Sequence, residues 1–182
     1  MIGVGGWDKG LDYDSFIKVL LKAREEARRR RTRRHRKALR NINILLVQLT
    51  NGLRVSEAID CYSKFLETGE REIPVRVAKS KNRFRMCLIP SFIDGLDVEL
   101  TRDLKPTTTT VLGSYAIRKF KANTHSLRYA FINKMLKEGL DPATVAKIVG
   151  HRKLDTILTY IQEKRAKEEL EKHIAMIAQL GG

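Results

Sequence analysis

An α+β domain, mainly α-helical with one small antiparallel β-hairpin, is the architecture that the 182-residue sequence predicts. Three observations lead there. Apolar residues recur at helical spacing over most of the chain, with Asp and Gly standing where such stripes begin and end. Only one region, "EIPVRVAKSKNRFRMCLIP", reads as paired strands around a basic turn. No internal repeat and no second domain with its own core is visible, and one well-buried domain suits this length.

The elements follow in order. Residues 1–13 read as an N-terminal tail, and 14–182 as the domain. Asp14 is a good helix cap, and "DSFIKVLLKAREEA" places Phe16, Val19, Leu20, Ala23 and Ala27 on one stripe. Residues 24–40 then carry ten Arg or Lys against two Glu, so +8 of the net +15 sits in one segment. "NINILLVQLTNG" is a buried helix stopped by Asn51-Gly52, and "GLRVSEAIDCY" opens a short one. Strands are expected over Ile73–Ala78 and Phe84–Ile89, ending at Pro90, and "DLKPTTTTVLGS" reads as a loop. Helices are then expected over Thr124–Lys137, from the Asp141-Pro142 cap to Gly150, and from about Asp155 toward Leu180. Within the last, residues 163–182 carry Leu170, Ile174, Ile177 and Leu180 as an apolar stripe on a charged helix.

Charge narrows the partner class. Lys and Arg total 36 against 21 Asp and Glu, and such an excess repels itself unless a polyanion is near. Arg28, Arg29, Arg30, Arg31, Arg33, Arg34, Arg36 and Lys37 are the candidate phosphate contacts, with Lys81, Arg83 and Arg152 further along. The bland alternative is a solvated helix face. Cys61 and Cys87 stand alone and form no CxxC pair, which argues against a zinc site or a secreted disulfide framework. No signal pattern and no membrane-length apolar run is present, so an intracellular protein without a membrane partner is expected.

Several residues could carry chemistry, each with a plain structural alternative. Arg54 lies just past a glycine stop where a helix begins, suited either to an anion or to pairing with Glu57. His125 and Arg128, three apart at a helix start, share a face; two such groups repel unless they share an anion. The hairpin turn offers Lys79 and Lys81. His151 follows a glycine cap, and Tyr160 comes nine residues later, by default a core aromatic with a wet hydroxyl.

Their order is more specific than any one of them. "NGLRVSEA", a basic hairpin, "HSLR", then "GH" with a tyrosine nine residues on resembles the tyrosine recombinase (phage-type integrase) family, over Asp14 to at least Gln162. The resemblance implies a helical catalytic domain with a small β-hairpin. Arg54 and Arg128 would clamp the phosphate, with Lys79 as the hairpin lysine, His125 and His151 as the two histidines, and Tyr160 as nucleophile. "AKSKNR" leaves Lys81 open, Lys79 being favoured because it ends the first strand. Tyr129 after Arg128 and Ile161-Gln162 after Tyr160 depart from the common pattern, at positions that carry no chemistry. The helical DNA-clamping domain that usually precedes the catalytic one has no counterpart here, which fits either a fragment or a minimal enzyme.

The same resemblance implies a double-stranded attachment or recombination site as partner. It also implies assembly into a dimer or tetramer on DNA, neither metal nor other cofactor, and a location at the nucleoid or in the host cell of a mobile element. Two rivals stay open. "LDPATVAKIVGHRKLDTILTYI" scans as a helix-turn-helix without catalysis, which would leave Arg54, the lysine hairpin and His125 unexplained. A type IB topoisomerase would use similar chemistry for swivelling.

Overall fold

The computed structural model describes residues 10–78, 80, 82–151 and 155–180; for 155–158, 160–162, 164, 165 and 180 it describes the backbone alone. In chain order the elements are α1 (Tyr13–Arg30), α2 (Arg33–Asn51), α3 (Val55–Thr68), β1 (Glu72–Arg76), β2 (Phe84–Leu88), α4 (Gly95–Thr101), α5 (Thr109–Phe120), α6 (Thr124–Lys137), α7 (Pro142–Val149) and α8 (Asp155–Leu180). The fold is thus mainly helical with a two-stranded antiparallel sheet.

α2 is the axis of the domain. Its residues 39–49 are buried on every side, so it is a core helix without a solvent face. It packs against α1, α3, α4 and α6. A helix enclosed in this way must satisfy its polar side chains internally. Asn43 donates to the Tyr62 hydroxyl at 3.1 Å, and Gln48 Nε2 donates to Thr124 O at 2.9 Å and to Leu53 O at 3.2 Å. Gly52 closes the helix in the left-handed region (φ 60°), and a Cβ there would lie 2.3 Å from the Phe131 ring. Both facts require glycine at this position.

The N-terminal cap is Asp12 rather than Asp14. Asp12 accepts from Ser15 N at 2.9 Å, which starts α1 at Tyr13, while Asp14 in the first turn pairs with Lys134 across to α6. The basic run is two helix ends. α1 stops at Arg31, in the left-handed region, and Thr32 caps α2.

Four arginines of that run are anchors. Arg24 is buried and reaches Phe92 O and the Asp97 carboxylate, and Arg28 pairs with Asp94 at 2.9 Å. Arg36 donates to Leu100 O at 2.7 Å and reaches Asp103, and Arg40 donates to Lys105 O. Spacing of four within each helix puts each pair on one face, and both faces close on the 92–105 segment. Arg28 and Arg36 are therefore engaged by the fold, whereas Arg29, Arg30, Arg31, Arg33, Arg34 and Lys37 are exposed.

The stretch read as a loop at 103–114 contains the start of α5. Thr108 caps it by accepting from Val111 N, and Leu112 and Ala116, four apart, bury its inner face. Tertiary burial outweighs the weak helix propensity of a threonine run. α4, set up by the Asp94 side chain accepting from the Leu96 and Asp97 amides, was not anticipated.

The hairpin pairs Ile73 with Cys87 and Val75 with Arg85, and these four face inward. Each strand is one residue shorter than expected; β1 begins one residue earlier and ends two earlier, and β2 ends one earlier. Cys61 and Cys87 do not stand alone. α3 and β2 bring their Cα atoms to 6.8 Å, and the two sulfurs form a disulfide between buried side chains.

Candidate active site

The site begins where α2 ends. Gly52 turns the chain, Leu53 is buried, and Arg54 sits in extended backbone as the residue before α3. Three residues later Glu57 folds back in the manner of a capping box. Its Oε2 accepts from Arg54 N at 3.0 Å, and its Oε1 accepts from Arg54 Nη1 at 3.0 Å and from Ala78 N at 2.9 Å. Glu57 is 1% exposed, so a carboxylate lies inside the protein and holds both Arg54 and the exit of β1.

Two further guanidinium groups face it. Arg85 Nε lies 3.8 Å and Arg128 Nη1 3.9 Å from Glu57 Oε2. Both are buried, and they are used in parallel. Arg128 donates to Gly52 O at 2.7 Å and to Val149 O at 2.8 Å. Arg85 donates to Asn51 O at 2.9 Å and to Ile148 O. Each arginine thus joins the carboxyl end of α2 to that of α7, where orphan carbonyls and the helix dipole favour cations. Burial pushes both guanidinium groups down to about 10; the charge of Arg54 pushes the same way, and Glu57 opposes it. They stay protonated at neutral pH. Glu57 shows the converse balance: burial pushes its carboxyl up, and the Ala78 and Arg54 amides with the Arg85 charge more than offset this, leaving it below the ordinary range.

Three guanidinium charges against one carboxylate leave an excess of positive charge. Arg54 is the open member, its side chain 25% exposed. Arg128 uses two of its five N–H donors on carbonyls, which leaves three.

The backbone segments that carry the histidines approach this cluster from two sides. Gln48 fixes Thr124 O beside Leu53 O, so the start of α6 lies next to the residue before Arg54. Asn123 caps α6 by accepting from His125 N, and His125 is exposed one turn before Arg128. His151 follows Gly150, which closes α7 in the left-handed region (φ 67°), and its N–H donates to Ala146 O at 2.9 Å. A Cβ on Gly150 would come within 3.1 Å of Val77 and 3.2 Å of Arg85 Cδ, so the turn before His151 lies directly on the hairpin.

Arg54, Arg128 and the His151 turn are brought together. Tyr160 lies in the second turn of α8, its side chain outside the described residues. Lys79, Lys81 and Arg152 also lie outside the described residues. Arg83, just before β2, is half-buried, and its carbonyl accepts from Val77 N.

Sequence reasoning passed over two members. Glu57 figured only as a partner for Arg54, and Arg85 not at all. The usable signals were a carboxylate three residues into a helix and an arginine on the same strand face as Cys87. A basic groove of about 630 Å³ between α2 and α5 also adds Arg118 and Lys119 to the exposed Arg33, Arg34 and Lys37. Among the described residues no helix is long and apolar enough to cross a membrane.

No family model matches the chain. It is 38% identical over 171 residues to a candidate integrase, ORF241 of Acidianus two-tailed virus, spanning 92% of this chain and 69% of that protein. It is 26% identical to the tyrosine recombinase XerC of Listeria innocua over 163 residues, 74% of this chain and 54% of XerC. Among solved structures it resembles the XerH site-specific recombinase bound to its difH substrate in a pre-cleavage complex. The TM-score is 0.58 at 20% identity, covering 86% of this chain and 51% of that one, a likeness of fold.

Proposed function

The chain belongs to the tyrosine recombinase (phage-type integrase) family, and from that premise we propose that it is a site-specific DNA recombinase that cuts and rejoins strands through Tyr160. The observation that supports this most is the convergence of Arg54 and Arg128 on a buried carboxylate beside the turn that carries His151.

A phosphodiester is a poor electrophile surrounded by negative charge. Arg54 and the remaining donors of Arg128 would hold its non-bridging oxygens and stabilise the charge that grows as the phosphorus becomes five-coordinate. Tyr160 would attack the phosphorus, forming a 3′-phosphotyrosyl ester and expelling the 5′-oxygen of the next deoxyribose. Only about one tyrosine in a thousand is ionised at neutral pH, so its proton has to leave as attack proceeds. His125 or His151 would accept or orient that proton, and Lys79, or Lys81 in its place, would protonate the leaving oxygen. Attack by a 5′-hydroxyl of another strand reverses the step and restores Tyr160. The ester keeps the energy of the bond, so neither ATP nor metal is required.

The exposed cations of 29–37 with Arg118 and Lys119 would track the DNA backbone. The domain would extend over 14–182, and residues 163–182 would dock on a neighbouring protomer in a dimer or tetramer on DNA. Leu170, Ile174 and Ile177, each more than half exposed, support that use of α8.

The test is incubation with a nicked suicide substrate in excess EDTA, followed by addition of a strand bearing a free 5′-hydroxyl. A covalent adduct that then transfers its strand to the new partner is expected. Relaxation of a supercoiled plasmid without joining of two DNA sites would indicate a swivelling topoisomerase, and DNA binding without an adduct a helix-turn-helix module.

A further inference from the structure

We infer that Arg85, on the hairpin, is a positioning residue that sets where His151 stands relative to Arg54 and Arg128. The inference rests on the reading of His151 as a proton-handling group, given above.

Arg85 is a buried cation on the inward face of β2, opposite Val75, where a hairpin strand ordinarily carries an apolar side chain. Burying a guanidinium is costly unless its donors are used. Here Nη1 and Nη2 are used on parts of the site itself, while Nε, among the described residues, is buried without a hydrogen bond and has the Glu57 charge near it. Nη1 donates to Ile148 O, three residues before His151, and Nη2 donates to Asn51 O, three residues before Arg54. Nε points toward Glu57, which holds Arg54 and Ala78. The aliphatic stem of Arg85 supports Gly150, the residue next to His151. One side chain therefore ties the His151 turn, the Arg54 turn and the hairpin into a fixed triangle.

Arg128 makes a similar bridge one residue further along, to Gly52 O and Val149 O. Arg128 comes from α6, however, and would also have to meet the phosphate. Its donors are therefore divided between the frame and the substrate. Arg85 has no such second duty, since its guanidinium is enclosed by α2, α3, α7 and the hairpin. The planar fork also explains the residue type, because two carbonyls on different elements need donors at a fixed separation.

The test uses the full chain with Arg85→Lys and Arg85→Met, each alone and combined with His151→Ala. Readouts are DNA affinity, single-turnover cleavage of a suicide substrate and thermal melting. Affinity should stay within about twofold, while cleavage falls about tenfold for Arg85→Lys and about a hundredfold for Arg85→Met, the scale expected of an ångström of misplacement. The decisive expectation is non-additivity: Arg85→Lys combined with His151→Ala should cleave no more slowly than His151→Ala alone. Losses that multiply in the double variant, or Arg85→Lys at the unsubstituted rate, would overturn the inference. Should Arg85→Met fail to fold, Arg85→Lys decides, since it keeps a charge beside Glu57. Absence of an adduct from the unsubstituted chain would remove the recombinase reading itself, and is seen without any Arg85 variant.

Discussion

Replacing Glu57 with glutamine keeps the shape of the side chain and removes its charge. Oε1 receives the Ala78 and Arg54 Nη1 donors and Oε2 the Arg54 amide, so an amide group must turn its NH₂ toward at least one donor. The better choice leaves oxygen at the Oε1 position and sets NH₂ against Arg54 N, with Arg85 and Arg128 still 3.8 and 3.9 Å away. Those two guanidinium groups are buried and would lose their counter-charge. Removing one partner of a buried ionic cluster costs about 3–5 kcal/mol. For a domain of this size that is roughly 6–20 °C of melting temperature. Urea unfolding of both proteins at pH 7 measures the difference.

The pH dependence carries an independent sign. Since the Glu57 carboxyl is held below its ordinary range, its contribution is full above the unfolded value, about 4.3, and is lost as pH falls toward the lower folded value. Glu57→Gln should therefore lose less stability than the unsubstituted chain on going from pH 5 to strongly acidic solution. A variant within about 1 kcal/mol of the unsubstituted chain at pH 7, with the same acid slope, would refute the claim that Glu57 organises the cluster.

Other expectations follow from the same geometry. Arg54→Ala and Arg128→Ala should each reduce cleavage by about two orders of magnitude or more; Arg128→Ala should also melt earlier, because it orphans Gly52 O and Val149 O, whereas the less buried Arg54 should matter less to stability. Cleavage assays beside melts separate the two effects, and near-normal cleavage by either variant removes that residue from the clamp. Cys61→Ala with Cys87→Ala should lower stability by about 3.5 kcal/mol, the chain-entropy value for residues 26 apart. Equal melts with and without reductant would show that the cross-link contributes nothing. Stopping the chain after Lys167 should leave a folded, DNA-binding domain with altered assembly on DNA, read by sedimentation of protein–DNA complexes. An unfolded product would place the α8 stripe in the domain's own core.

How much could be read from the chain depends on how local each signal is. Both ends of α7 were legible because Asp141-Pro142 and Gly150 act within a turn of their own position. The end of α2 at Gly52 was legible for the same reason. α5 was not, since its threonines favour other conformations and only burial of Leu112 and Ala116 decides for helix. The basic run misled in part. Its net charge is visible in sequence, but Asp94, Asp97 and Asp103, which engage Arg24, Arg28 and Arg36, lie more than 60 residues on. Arg54, His125, Arg128 and His151 could be picked out by their order, whereas Glu57 and Arg85 gain their meaning only once the hairpin is laid against α3 and α7. The Cys61–Cys87 pair needed the same docking.

Everything proposed for this site depends on Tyr160 forming the covalent link to DNA. The most direct measurement traps the chain on a nicked suicide substrate, digests the adduct and locates the nucleotide-bearing peptide by mass spectrometry, with Tyr160→Phe in parallel. The nucleotide is expected on the peptide containing Tyr160, with no adduct from Tyr160→Phe although it binds the same DNA with unchanged affinity. An adduct on another residue, or an undiminished adduct from Tyr160→Phe, would contradict it.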